Sequence, residues 1–119
     1  MAKSPRPDLV RKAILAGTLG HIQIKDSVYR QLRDDPDLAP YSPAGIKEIL
    51  RSFVVSGKNL EARQETRQEW LEECPDDPWW YKAVIPVPEF PKGLFQEVKL
   101  IDDGESDPWV EIVRVHRQT

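Results

Sequence analysis

The chain has 119 residues, a formal net charge of −3 and a hydrophobic fraction of 39%. This length fits one domain, and no apolar run reaches the roughly 18 residues of a membrane helix, so we expect no membrane contact. We expect a cytoplasmic protein, since the start of the chain lacks a signal-type apolar stretch and the single Cys74 forms no intrachain disulfide. Residues 1–70 have 12 Lys and Arg against 9 Asp and Glu, a net of +3, whereas residues 71–119 have 5 against 11, a net of −6.

The chain begins with a segment that predicts little regular structure. Residues 1–7 contain two prolines and two cations, which is typical of a flexible tail, and we expect a single domain over 8–119. A short helix is predicted over Asp8–Ala16, because Asp8 is a favourable N-cap and Gly17 is placed to end the helix in the left-handed conformation. The alternation of 21–25 then predicts a brief extended segment.

Two further helices are predicted before residue 57. Asp26 or Ser27 caps the first of them, and Asp35 ends it because a residue that precedes proline avoids the helical region. The second is predicted over Pro43–Ser56, with Ser42 as its N-cap and a proline at its first position. Its apolar residues follow the helical spacing of a buried stripe. They are Ile46, Ile49, Leu50, Phe53 and Val54.

The strongly polar segment 59–73 supports two alternatives. The alternation of its charges fits an exposed edge strand, whereas its Glu, Ala, Arg and Gln content fits a polar helix. We expect irregular or edge structure before Trp70, with a helical turn around Arg67–Glu73. Cys74–Pro78 then contains two prolines and two aspartates and predicts a turn.

The last third of the chain predicts β-structure. Strands are predicted over 79–87, 93–101 and 109–117, and the turn-rich loops between them favour an antiparallel meander of three or four strands. We therefore predict an α+β fold in which N-terminal short helices pack on a small C-terminal antiparallel sheet. The candidates for the core shared by the third helix and the sheet are Val84, Val98, Leu100, Ile112, Val113 and Val115.

Polar residues of these strands form a candidate catalytic group. Strand alternation places Arg114 and His116 on one face and Arg117 on the other. The open face of the sheet can also gather Lys82 and Glu97. A histidine and a carboxylate that exchange protons, beside cations that stabilise a charged phosphorane, suit the cleavage of a phosphodiester. The alternative is a solvated face with cross-strand ion pairs.

Aromatic and basic residues form a candidate binding group. Trp79 and Trp80 are adjacent in a predicted strand, so one of them points away from the core. An exposed tryptophan is typical of a protein interface or of a platform on which bases stack, although a helix or the polar segment can also cover it. Arg63 and Arg67 are candidates for a local basic patch beside it.

The sequence predicts neither a metal site nor a cofactor. His21, His116 and Cys74 lack the paired spacings of zinc ligands, and no glycine-rich phosphate loop is present. The acidic neighbours of Cys74 disfavour its thiolate, which argues against a cysteine nucleophile.

Three segments resemble the RelE/ParE superfamily of bacterial toxins. They are His21 with Arg30, the helix Ala44–Leu50 with Val55–Gly57 behind it, and the closing strand Val110–Arg117. The resemblance implies an RNA endonuclease that a small antitoxin neutralises. It places His116, Arg114 and Arg117 at the scissile phosphate, with Lys82 or Lys99 as supporting cations.

The tryptophans and prolines favour a different class of function. In this alternative the protein is a non-enzymatic interaction module or a homo-oligomeric structural protein, for example a homodimer.

Overall fold

Short helices occupy the first half of the chain and long strands the second half. The structure is a computed structural model and describes residues 3–17, 19–73 and 77–119. The helices are α1 (Pro7–Leu15), α2 (Asp26–Asp34), α3 (Pro43–Val55) and α4 (Gln68–Glu73), and a 3₁₀ turn covers Pro36–Leu38. The strands are β1 (Ile22–Ile24), β2 (Glu61–Gln64), β3 (Trp79–Val87), β4 (Phe90–Asp102) and β5 (Trp109–Arg117).

The strands form one sheet in the order β1-β5-β4-β3-β2. Neighbouring strands from β2 to β5 are antiparallel, whereas β1 pairs with β5 in parallel, with Ile22 opposite Val110. The predicted α+β class is confirmed, but the predicted three- or four-stranded antiparallel meander is wrong, because the sheet is five-stranded and mixed. The short extended segment after α1 returns to the far edge of β5, and alternation within a segment does not indicate which strand it pairs with.

The predicted helices are confirmed to within a residue or two at their ends. The Ser42 side chain accepts a hydrogen bond from the backbone N–H of Gly45 at 3.0 Å and so caps α3. The predicted cap of α1 is wrong: the helix starts at Pro7, and the Asp8 carboxylate instead pairs with Arg6 at 2.9 Å. Gly17 has a φ of 56°, as its predicted left-handed role requires.

The polar segment contains both of the structures that its composition favours. Its first part forms the edge strand β2, and its second part forms the short helix α4, as expected around Arg67–Glu73. The turn predicted over Cys74–Pro78 lies largely outside the described residues, as does Cys74 itself.

Three helices cover one face of the sheet. Helices α1 and α2 pack on β5, and α3 packs on β3 and on α1. The α3 stripe buries Ile46, Leu50 and Val54 against the sheet. We call this side of the sheet the helix face. The sheet residues in its core include Ile22, Tyr81, Ala83, Ile85, Leu94, Val98, Leu100, Val110, Ile112 and Val115.

A bulge in β5 changes which face its residues occupy. Val98 is opposite Ile112 whereas Glu97 is opposite Arg114, so Val113 is an extra residue in the strand. Ile112 and Val115 consequently both lie on the helix face although they are three residues apart. The candidate core is right for Val98, Leu100, Ile112 and Val115. Val84 is wrong because it is opposite Phe95 on the other face, and Val113 is buried as expected but falls at the bulge, outside the core shared with the helices.

The other side of the sheet, which we call the open face, is covered only in part. The segment 65–73 starts at the β2 edge and reaches across it, where the Trp70 ring lies 4.5 Å from the Lys25 ammonium next to β1. Among the described helices, none is long and apolar enough to cross a membrane.

Candidate functional site

The register of the sheet brings the polar residues of three strands together on the open face. Lys82, Glu97 and Arg114 lie directly opposite one another across β3, β4 and β5. One step along the sheet, Phe95 is opposite His116. Four of the five candidate catalytic residues, namely Lys82, Glu97, Arg114 and His116, therefore share one face.

An aromatic strip runs beside these charges. The His116 and Phe95 rings are stacked, with centroids 4.3 Å apart and planes 12° apart. Phe95 also meets the edge of Trp80 at 6.2 Å between centroids. Phe95 is buried in the middle of the strip, whereas Trp80 and His116 are half-buried at its two ends. Aromatic contacts of this kind hold the rings in fixed orientations.

A backbone hydrogen bond orients the His116 ring. Its Nδ1 lies 2.9 Å from the carbonyl oxygen of Arg117. A carbonyl oxygen only accepts, so Nδ1 carries the proton of the neutral ring. The lone pair of the neutral imidazole is then on Nε2, which is the atom that can take up a further proton.

Arg67 holds two buried carboxylates at one end of the open face. Its guanidinium contacts Glu65 at 2.8 Å and Glu97 at 2.6 Å, and both carboxylate side chains are about 2% exposed. Glu65 also accepts hydrogen bonds from the backbone N–H groups of Thr66 and Arg67. The side-chain hydrogen bond from Arg67 lowers the pKa of Glu65, although burial acts in the opposite direction. The pKa of Arg67 is raised, chiefly by its hydrogen bond to Glu65.

Arg67 occupies Glu97, so the cations on the neighbouring strands are not paired with this carboxylate. Glu97 is bound by Arg67 and is buried, so its carboxylate is removed from solvent. Lys82 and Arg114 flank Glu97 on the adjacent strands, yet neither takes part in a salt bridge within residues 3–17, 19–73 and 77–119. Both side chains therefore remain available to a ligand.

The other candidate residues lie apart from this group. Arg117 is on the helix face, opposite Leu94, and approaches Asp37 at 3.8 Å. Trp79 donates its indole N–H to the carbonyl oxygen of Lys3 at 2.7 Å. Arg63 is on the open face opposite Trp80, where Glu61 neutralises it at 3.0 Å.

Sequence reasoning missed two residues of the open face. The strand predicted over 93–101 places Phe95 on the same face as Glu97 by alternation, and this is the signal that could have found it. Glu65 lies in a strongly polar segment, and nothing in its local sequence indicates that Arg67 folds back on it.

Comparisons of the chain with protein-family models, with curated proteins and with solved structures found no match. Among the described residues, no three His, Cys, Asp or Glu side chains are grouped in a way that would hold a metal ion. The function proposed below therefore rests on the geometry of the open face.

Proposed function

We propose that this protein binds single-stranded RNA on the open face of its sheet. The observation that carries the proposal is the aromatic strip of Trp80, Phe95 and His116 beside two unpaired cations. Proteins that bind single strands combine aromatic rings, on which bases stack, with positive charge that follows the phosphates.

The geometry of the strip suits unpaired bases better than a duplex. The half-buried rings of Trp80 and His116 both pack against Phe95, which orients them on the open face of the sheet. Bases of a duplex are stacked on one another and present only their edges, whereas bases of a single strand expose the faces that such rings contact.

The charges of the open face supply the phosphate contacts. Lys82 on β3 and Arg114 on β5 lie on opposite sides of β4. An RNA chain that crosses β4 can therefore place one phosphate near each of these cations. The protein as a whole is acidic, with a net charge of −3, so non-specific attraction to RNA is weak and binding depends on this local pair.

Fluorescence anisotropy with a labelled oligouridylate of about a dozen nucleotides tests the proposal. Trp80→Ala removes one end of the strip and is expected to weaken binding by about 5- to 150-fold, the range for the loss of one stacked base. Lys82→Ala and Arg114→Ala are each expected to lower the slope of log K against log salt by about 0.7, the value for one phosphate contact on a single strand.

Lys92→Ala is the matched control, because Lys92 is an exposed cation of β4 outside this group. It is expected to leave both the affinity and the salt slope almost unchanged. Equal affinities for Trp80→Ala and Lys92→Ala, or a wild-type protein that does not bind the oligonucleotide, would contradict the proposal.

The fixed orientation of His116 favours a second candidate function, the cleavage of the bound RNA. In this reaction Nε2 of His116 accepts the proton of a ribose 2′-hydroxyl, and the 2′-oxygen attacks the adjacent phosphorus. The bond from phosphorus to the 5′-oxygen breaks, and a 2′,3′-cyclic phosphate forms while the 5′-oxygen takes a proton from Lys82 or from water. Arg114 stabilises the charge that develops on the phosphorane.

His116→Phe separates binding from cleavage, because phenylalanine keeps the stack on Phe95 but has no basic nitrogen. We expect this variant to retain RNA affinity and to lose cleavage of an end-labelled RNA, and we expect 2′-deoxy oligonucleotides to remain intact with either protein. Cleavage that continues unchanged in His116→Phe would remove the histidine, and with it this second function.

A further inference from the structure

A second surface lies on the opposite side of the molecule. A groove of about 740 Å³ runs along the outer side of α3, and Leu19 and Tyr29 form its other wall. Three of the four exposed large hydrophobic residues in the described part of the chain border it, namely Leu19 (81% exposed), Val55 (62%) and Tyr29 (47%). Apolar side chains gathered in this way are typical of a surface that another protein covers.

The lining residues of this groove that belong to α3 or to its C-cap, Ser56, form a symmetric set. Counted from the midpoint between Ile49 and Leu50, each lining position has a counterpart at the same distance on the other side. The pairs are Pro43 with Ser56, Ala44 with Val55, Lys47 with Ser52, and Glu48 with Arg51. When two copies of a helix pack antiparallel about a two-fold axis at such a midpoint, the members of each pair meet across the interface.

The central pair of this set is complementary in charge. Glu48 is exposed and makes no salt bridge within the described residues. Arg51 is held in place because its Nη1 and Nη2 donate to the carbonyl oxygens of Ile14, Ala16 and Gly17. Its Nε is not used in these contacts. A two-fold axis would bring each Glu48 against one Arg51 of the second copy, which gives two such contacts in the dimer. Because Arg51 is already held in place, they cost little further side-chain entropy.

We propose that this protein forms a two-fold symmetric dimer through antiparallel pairing of α3 with α3 of a second copy. Glu48 and Arg51 form two reciprocal ion pairs at the centre of the interface. Ala44 packs on Val55 at each end, and Leu19 and Tyr29 close its sides. The short side chains of Ala44 and Ser52 allow the two helices to approach closely.

The dimer leaves both copies of the open face free. Helix α3 is on the helix face of the sheet, so its outer side points away from the aromatic strip. The dimer and the RNA-binding proposal therefore stand or fall separately.

Two charge variants test the pairing directly by sedimentation velocity over a wide range of protein concentration. Glu48→Arg alone places arginine against arginine at both central contacts, and Arg51→Glu alone places glutamate against glutamate. Each variant is expected to be a monomer at concentrations at which the wild type is a dimer. In an equimolar mixture both contacts become Arg–Glu pairs, so the heterodimer is expected to return.

Val55→Asp provides a test that does not touch the hydrogen bonds of Arg51. Val55 is exposed, so the variant is expected to keep its circular dichroism spectrum and melting temperature while the dimer dissociates. A wild-type protein that stays monomeric overturns the proposal, as does a dimer that survives both Val55→Asp and Glu48→Arg. If Arg51→Glu fails to fold, Val55→Asp and Glu48→Arg still decide the question.

Discussion

Both faces of the sheet are buried at their centre, but they are buried with opposite chemistry. The helix face is almost wholly apolar, and its buried Gln96 donates to the carbonyl oxygen of Ile46 at 3.1 Å. The open face buries Glu65, Glu97 and Lys99 instead, beneath a short polar segment. The helix face is stabilised by the transfer of apolar surface from water, whereas the buried charges of the open face are tolerated only while they are paired or hydrogen-bonded.

This difference explains where the candidate site lies. The apolar helix face is stabilised when it is shielded from water, and three helices cover it. The open face has polar residues around its buried ion pairs, so it can present Lys82, Arg114 and His116 to a ligand without exposing the apolar core. The comparison between the two faces leads to four predictions about stability.

The largest effect is expected on the helix face. Leu94 is 0% exposed, and Leu94→Ala is expected to lower the free energy of unfolding by about 2–5 kcal/mol through lost apolar burial and a residual cavity. Urea unfolding followed by circular dichroism measures this change. Ile101→Ala is the control on the same strand, because Ile101 is 46% exposed, and it is expected to cost less than about 1 kcal/mol. Similar losses in both variants would show that this layer does not dominate stability.

The next largest effect is expected at Arg67. Arg67→Met leaves Glu65 and Glu97 buried without their cation. The expected loss is about 2–3 kcal/mol, below the cost of breaking a fully buried pair because Arg67 keeps about a third of its side chain exposed. Adding Glu97→Gln to Arg67→Met is expected to restore part of the loss, and a double-mutant cycle measures that coupling. A fully additive cycle would contradict the pairing.

The same variant has a pH signature. The pKa of Glu65 is lowered in the folded protein, so its pairing with Arg67 stabilises the fold above the unfolded pKa of about 4.3. This stability is lost as the pH falls through the folded pKa. Wild-type stability is therefore expected to fall more steeply in acid than that of Arg67→Met, as urea unfolding at a series of pH values below 5 will show. Parallel curves would contradict this assignment.

The smallest effect is expected at the β1 edge of the open face. Burial raises the pKa of Glu111, while Lys25 acts in the opposite direction. A raised folded pKa means that this group contributes stability below its unfolded pKa and loses it as the pH rises. Glu111→Gln is therefore expected to stabilise the protein by less than about 1 kcal/mol at neutral pH and not at all in acid. A destabilisation at pH 7 would indicate that its electrostatic attraction to Lys25 dominates.

The sequence is sufficient to predict what depends on local pattern. Helix α3 could be located from Ser42, Pro43 and its apolar spacing, and the long strands from their alternation between turn clusters. Alternation also places Arg114 with His116, but their sharing of a face with Lys82 and Glu97 depends on the register between strands and on the bulge in β5. Contacts between residues that are distant in the sequence could not be predicted. The parallel pairing of β1 with β5 and the ion pair of Arg67 with Glu97 depend on tertiary packing, for which the local sequence carries no signal.

The extra residue in β5 has a consequence for how this chain tolerates genetic change. Loss of the Val113 codon removes the bulge and makes Ile112 and Arg114 successive residues, which is the spacing that pairing with Val98 and Glu97 requires. Arg114 and His116 would then stay on the open face, and Val115 would stay on the helix face. An in-frame deletion at the bulge therefore preserves the faces of β5, whereas loss of Val115 from the regular part of the strand would turn His116 toward the helices.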